Sequence, residues 1–102
     1  MRVLLKAHFD TEKGNELIRS GRMGDLIRET IDRVHPEAAY FLPEDGERTA
    51  YLFFDLEDPS QIPVITEPLF EAGDAKVSYT PAMNLDDVQK GLSQLRGGDS
   101  GQ

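Results

Sequence analysis

Two stretches of the chain alternate apolar and polar residues at a period of two, and this alternation limits the fold more than any other feature. In Arg-Val-Leu-Leu-Lys-Ala-His-Phe, residues 2–9, Val3, Leu5, Ala7 and Phe9 fall on one side and Leu4, Lys6 and His8 on the other. In residues 48–56, Ala50, Leu52, Phe54 and Leu56 line one side, opposite Thr49, Tyr51, Phe53 and Asp55. Successive side chains of a strand point to opposite faces, so both stretches read as strands with one face on a core. The second face of each is mixed, neither plainly polar nor plainly apolar.

The segments between and after these strands read in sequence order. Asp10 to Asn15 reads as a polar loop, and a short helix then ends near Gly21, which suits a left-handed cap. A second helix runs to about Val34. Met23, Leu26, Ile27, Ile31 and Val34 form its apolar stripe, and Pro36 stops it. Residues 38–42 form a strand, and Pro43 to Glu47 reads as a turn with an Asp-Gly hairpin signal. Asp58, Pro59 and Gln61 carry helix-start chemistry, with Asp58 as cap and Gln61 completing a capping box. Pro68 should kink or restart that helix, and Gly73 should end it. Residues 75–80 form a fourth strand. Asn84 caps a last helix with Leu85, Val88, Leu92 and Leu95 on one face. The order is β-α-β-β-α-β plus a terminal helix, an α+β arrangement that fits a ferredoxin-like antiparallel sheet with its helices on one face. Residues 1–95 read as one such domain, and 96–102 (Arg-Gly-Gly-Asp-Ser-Gly-Gln) as a disordered tail.

Composition narrows the function classes. A chain of 102 residues buries roughly 60–70% of its unfolded surface, enough for one modest core. It has no Cys, which removes disulfides, thiolate metal sites and a catalytic thiol. The net charge of −8 argues against nucleic-acid or anionic-membrane binding, both of which need basic surface. The charge is also uneven. Residues 1–51 hold 8 basic and 10 acidic residues, residues 52–102 hold 3 and 9, and Lys76 is the only cation from Leu52 to Asp87. Val3-Leu4-Leu5 is too short for a signal-peptide core, and no stretch approaches the ~20 apolar residues of a membrane span. A soluble, cytoplasmic protein is expected.

The mixed sheet face is where a site is expected. It carries Leu4, Lys6, His8, Tyr51, Phe53, Asp55, Lys76, Ser78 and Thr80, and the second strand supplies Tyr40 and Leu42 if its register allows. Such a face commonly meets a second subunit, and a homodimer packing these faces would form a closed barrel. In the spatial order 4-1-3-2, strand one lies between strands three and four and is antiparallel to both. His8 then falls near Thr49 or Tyr51 on one side and Lys76 or Ser78 on the other. In this cluster a neutral His8 would act as base, Tyr51 as acid and Lys76 as stabiliser of an anion. The plain alternative is a set of cross-strand polar pairs at an interface. Lys6, Tyr40, Phe53 and Ser78 would line a ligand pocket.

Other constellations are weak. His8 and Asp10 are two residues apart, but two ligands do not make a metal site. His35 suits a helix C-terminus better than a ligand role. Gly14-Asn15 lacks a phosphate fingerprint around it, and no serine sits in a nucleophile-elbow motif. No cofactor and no metal are expected.

Several strings carry a family resemblance over roughly residues 1–92: Gly14-Asn15, Pro36-Glu37-Ala38-Ala39-Tyr40-Phe41, Gly46-x-Arg48-Thr49, Asp55-x-x-Asp58, Ile62-Pro63, Glu67-Pro68 and Pro81-x-Met83. The pattern resembles the dimeric α+β barrel superfamily of ferredoxin-like proteins, and within it a family of small bacterial proteins of about this length. Some members of that family carry a pantothenate synthetase label, but this chain lacks the His-x-Gly-His motif of that enzyme and is far shorter. The wider superfamily includes cofactor-free monooxygenases, small-ring isomerases and haem-degrading enzymes. None of their catalytic sets carries over residue by residue, and His8 alone occupies a plausible pocket position.

Two functions follow. The first is a homodimeric small-molecule-binding or accessory protein without catalysis of its own. The second is a cofactor-independent monooxygenase or isomerase acting on a small aromatic or polyketide-like substrate, with His8 and Tyr51 as its acid–base pair and Tyr40 and Phe53 walling the pocket. An amino-acid-sensing regulatory domain shares the topology but usually accompanies an enzyme in one chain. An RNA-recognition role needs basic surface that this chain lacks.

Overall fold

The computed structural model describes residues 1–97. Its elements are β1 (Arg2–His8), α1 (Thr11–Arg19), α2 (Arg22–Val34), β2 (Ala38–Glu44), β3 (Glu47–Asp55), α3 (Gln61–Gly73), β4 (Lys76–Pro81) and α4 (Leu85–Leu95). The two alternating stretches are β1 and β3, the central strands of a four-stranded antiparallel sheet ordered β2-β3-β1-β4. Read from the opposite edge, that order is 4-1-3-2. The fold is therefore α+β with an open antiparallel sheet.

The apolar sides of the central strands build the core. Val3, Leu5, Ala7 and Phe9 of the first stretch join Ala50, Leu52, Phe54 and Leu56 of the second. Leu17 from α1, Met23, Leu26 and Val34 from α2, and Ile65 and Leu69 from α3 close over them, so these helices cover one sheet face. Leu5 is fully buried. α4 differs. Its capping box forms, with Asn84 Oδ1 accepting from Asp87 N at 2.8 Å and the Asp87 carboxylate accepting from Asn84 N at 3.1 Å. Yet none of its residues is buried, and Leu85, Leu92 and Leu95 remain exposed.

Four local expectations are corrected. The segment Asp10–Asn15 is not a loop: Asp10 caps α1 by accepting from Lys13 N at 2.9 Å, and Gly14 lies inside the helix. A Cβ at Gly14 would fall 2.7 Å from Arg48 Nη1, and Arg48 Nη2 donates to Asn15 Oδ1 at 3.0 Å. Glycine at this position thus makes room for a contact between helix and sheet. Second, Pro43 and Glu44 belong to β2, and only Asp45 and Gly46 turn, both with positive φ (54° and 78°). Pro43 is tolerated because β2 is an edge strand. Third, Pro68 does not restart the helix: α3 runs through it without interruption. The carbonyl deprived of its N–H partner belongs to Val64, 61% exposed, where water can replace the lost bond. Fourth, Asp58 and Gln61 form their bonds in a turn just ahead of α3. Gln61 Oε1 accepts from Glu57 N and Asp58 N, while Asp58 accepts from the backbone and hydroxyl of Ser60.

The expected tail is described only at Arg96 and Gly97. Their N–H groups donate to Ser93 O and Gln94 O at 3.2 and 3.1 Å and finish α4. The rest of 96–102 lies outside the described residues.

Candidate functional site

The register of the central strands assembles the site. β1 pairs Lys6 with Tyr51 and His8 with Thr49 on one side, and Lys6 with Ser78 and His8 with Lys76 on the other. β2 pairs Tyr40 with Tyr51 and Ala38 with Phe53. Pairing partners share a face, so Lys6, His8, Tyr40, Tyr51, Phe53, Lys76 and Ser78 all lie on the face away from the helices. Tyr40 is 62% exposed, while Lys6, His8, Tyr51 and Phe53 are half-buried.

At the centre is a residue that the sequence pattern assigns to the turn. Glu44, the last residue of β2, reaches across β3. Its Oε2 lies 2.9 Å from Lys6 Nζ and 3.1 Å from His8 Nε2, and its Oε1 accepts from the Tyr51 hydroxyl. Lys6 Nζ also stands 5.1 Å from the centroid of the Tyr51 ring, a cation–π contact. The Tyr51 hydroxyl and then Lys6 hold the Glu44 carboxyl below the usual carboxylate range, and Glu44 holds the Lys6 ammonium above its usual range. A two-residue Asp-Gly hairpin puts the residue before Asp45 opposite the one after Gly46. That signal was enough to place Glu44 on the strand.

The second nitrogen of His8 is engaged as well. Nδ1 lies 3.0 Å from Thr49 Oγ1, which also lies 3.0 Å from Glu47 O. Nε2 faces a carboxylate, which only accepts, so Nε2–H is the donor to Glu44. For His8 to act as a base, one of these partners must first move.

The structure therefore brings His8, Tyr51 and Lys6 together through Glu44. Lys76 and Ser78 flank them on β4 with side chains turned to solvent. Tyr40 and Phe53 extend the cluster along the sheet as an aromatic margin. Among the described residues, no group of three or more His, Asp or Glu side chains is placed to hold a metal ion. No described helix is long and apolar enough to cross a membrane.

A concavity lies at the β2 edge on the helix side and reaches Thr49 at the margin of this cluster. It is a groove of about 360 Å³ lined by Phe9, Ile18, Met23, Phe41, Pro43 and Arg48. Ile18 and Phe41 stay half-exposed there because no helix covers the outer end of β2. Its walls are almost wholly apolar and offer little to orient a reacting group.

No family model matches the chain, and neither the curated proteins nor the solved structures contain a significant match.

Proposed function

We propose that the chain is a homodimeric small-molecule-binding or accessory protein, in which two copies pack their helix-free sheet faces into a closed barrel of the ferredoxin-like, dimeric α+β type. The carrying observation is that one exposed face combines the aromatic side chains Tyr40, Tyr51 and Phe53, and Leu4, with a hydrogen-bonded polar cluster. Apolar residues around a polar centre are the composition of an interface that encloses a ligand or water. The same reading places the chain in the family of small bacterial proteins it resembles, and in the cytoplasm. Sedimentation equilibrium at tens of micromolar tests it. The expected result is a dimer that Tyr40→Asp dissociates; a wild-type monomer at that concentration overturns the proposal.

One observation favours a second reading, a cofactor-independent monooxygenase or isomerase. His8 and Tyr51 meet on one carboxylate, so a substrate drawing Glu44 aside would face an imidazole and a phenol together. A His8→Ala variant that turned over an accepted substrate at the wild-type rate would exclude it.

A further inference from the structure

Three hydrogen-bond donors converge on the Glu44 carboxylate, and donors and acceptor are held differently. Lys6 and His8 lie on β1 and Tyr51 on β3, the two central strands, where pairing on both sides fixes their backbones. Glu44 is the end residue of an edge strand beside the Asp45–Gly46 turn, and rotation of its side chain alone would release all three donors. The donors address the two oxygens separately: Lys6 and His8 meet Oε2, and Tyr51 meets Oε1. That is the shape of a carboxylate receptor, and any carboxylate entering it would meet the same three groups.

The basic groups of this face lie on the strands that carry and flank the donors. On this face β1 contributes Arg2, Lys6 and His8, and β4 contributes Lys76, Ser78 and Thr80, with no acid from either strand. With Glu44 turned out, the other acids β3 places on this face, Glu47 and Asp55, sit at the two ends of that strand. Arg2 is already paired with Glu37 and Asp87, and Glu47 stands opposite Glu44, so the basic groups at the subsite are Lys6 and His8, with Lys76 on the neighbouring strand. Tyr40 opposite Tyr51, and Phe53 opposite Leu4, supply a flat apolar margin beside the donors.

We propose that Lys6, His8 and Tyr51 form a carboxylate-binding subsite that Glu44 occupies in the free protein, and that its ligand is a small aromatic carboxylate whose ring lies against Tyr40 and Phe53. The inference rests on the reading of this face as ligand-binding and names the ligand class. Glu44 is an internal competitor. A ligand binds only the fraction of molecules with Glu44 turned away, and its apparent affinity falls by that fraction. The exchange swaps one carboxylate for another, so it leaves no donor unpaired.

Benzoate is the probe, titrated by NMR into the full chain. Glu44→Ala is expected to bind benzoate about tenfold tighter than wild type or more, as removal of an internal competitor requires. Benzamide, the same shape without the charge, and inorganic phosphate should bind the variant at least tenfold more weakly than benzoate. Adding Lys6→Met to Glu44→Ala should abolish the gain. Should Glu44→Ala fail to fold, Glu44→Ser, too short to reach the three donors, carries the same comparison. Equal benzoate affinity in wild type and variant overturns the proposal, as does benzamide or phosphate binding as tightly as benzoate. Sedimentation of the same samples separates the two readings. A monomer that shows the gain overturns the barrel and keeps the subsite, whereas a dimer without the gain overturns the subsite alone.

Discussion

The Glu44 carboxylate lies 2.9 Å from Lys6 Nζ although their strands are not neighbours: β3 runs between them. The contact ties the hairpin end of an edge strand to the middle of the sheet, and it passes over Tyr51, which bonds to the same carboxylate. A surface ion pair alone stabilises little. Here a phenol and an imidazole share the acceptor, and the half-buried setting limits screening by salt.

This arrangement fixes the sign of one pH dependence. Glu44 ionises more readily in the folded chain than in the unfolded chain, because Tyr51 and Lys6 stabilise its charged form. A lowered carboxyl pKa adds stability that is present above the unfolded value of about 4.3 and is lost as pH falls through the folded value. The melting temperature of wild type should exceed that of Glu44→Gln at about pH 5. The margin should close as the solution is acidified below about pH 4. Thermal unfolding of both proteins across that range checks it. A margin unchanged down to about pH 2 would mean that the charge of Glu44 contributes nothing.

Two helical glycines should respond oppositely to alanine. A Cβ at Gly73 would lie 2.6 and 2.7 Å from ring carbons of Phe9, a 4% exposed core residue that must shift to make room. Gly73→Ala should cost about 1–3 kcal/mol through overpacking. A Cβ at Gly14 meets only the far end of Arg48, an exposed and flexible side chain. Its displacement loses the bond to Asn15, while alanine gains up to about 1 kcal/mol of helix propensity, so Gly14→Ala should be neutral or slightly stabilising. Urea unfolding of the two variants distinguishes them.

What could be read from the residues divides along physical lines. The alternation in β1 and β3 identified the central strands, and the 4-1-3-2 order placed His8 near Thr49 or Tyr51 and near Lys76 or Ser78, of which the register selects Thr49 and Lys76. Such patterns are legible because a buried face imposes its period on the sequence. Glu44 falls inside the Pro43–Glu47 stretch that reads as a turn, and only the edge position of β2 lets the strand run through Pro43. Gly14 looked like part of a loop because its reason for being glycine is Arg48, distant in sequence. The stripe on α4 was legible as a stripe, but periodicity cannot say whether anything covers it.

The two leucine stripes can be told apart by truncation. Leu5 is fully buried between the sheet and its helices, and Leu5→Ala should cost about 2–5 kcal/mol. Leu92 occupies an equally regular stripe on α4 but is 53% exposed. Leu92→Ala should change the unfolding free energy of the protomer by no more than about 0.5 kcal/mol. Denaturant titration at a concentration where the protein is monomeric makes the comparison.

Between α3 and β4, Thr66 and Tyr79 share a hydrogen bond of 2.6 Å, with Thr66 buried and Tyr79 partly so. Burial pushes the Tyr79 phenol up, which disfavours its charged form and keeps the hydroxyl available to this bond. Tyr79→Phe would leave the buried Thr66 hydroxyl without that partner, and the loss should be about 1–3 kcal/mol. Thr66→Val in the same background removes the stranded hydroxyl. If the loss comes from that group, the double variant should be no less stable than Tyr79→Phe alone, because replacing both partners by apolar groups of similar shape is nearly neutral. A double-mutant cycle measured by urea unfolding tests this. Strictly additive losses would show that Thr66 and Tyr79 stabilise the fold independently and that their hydrogen bond contributes no coupling.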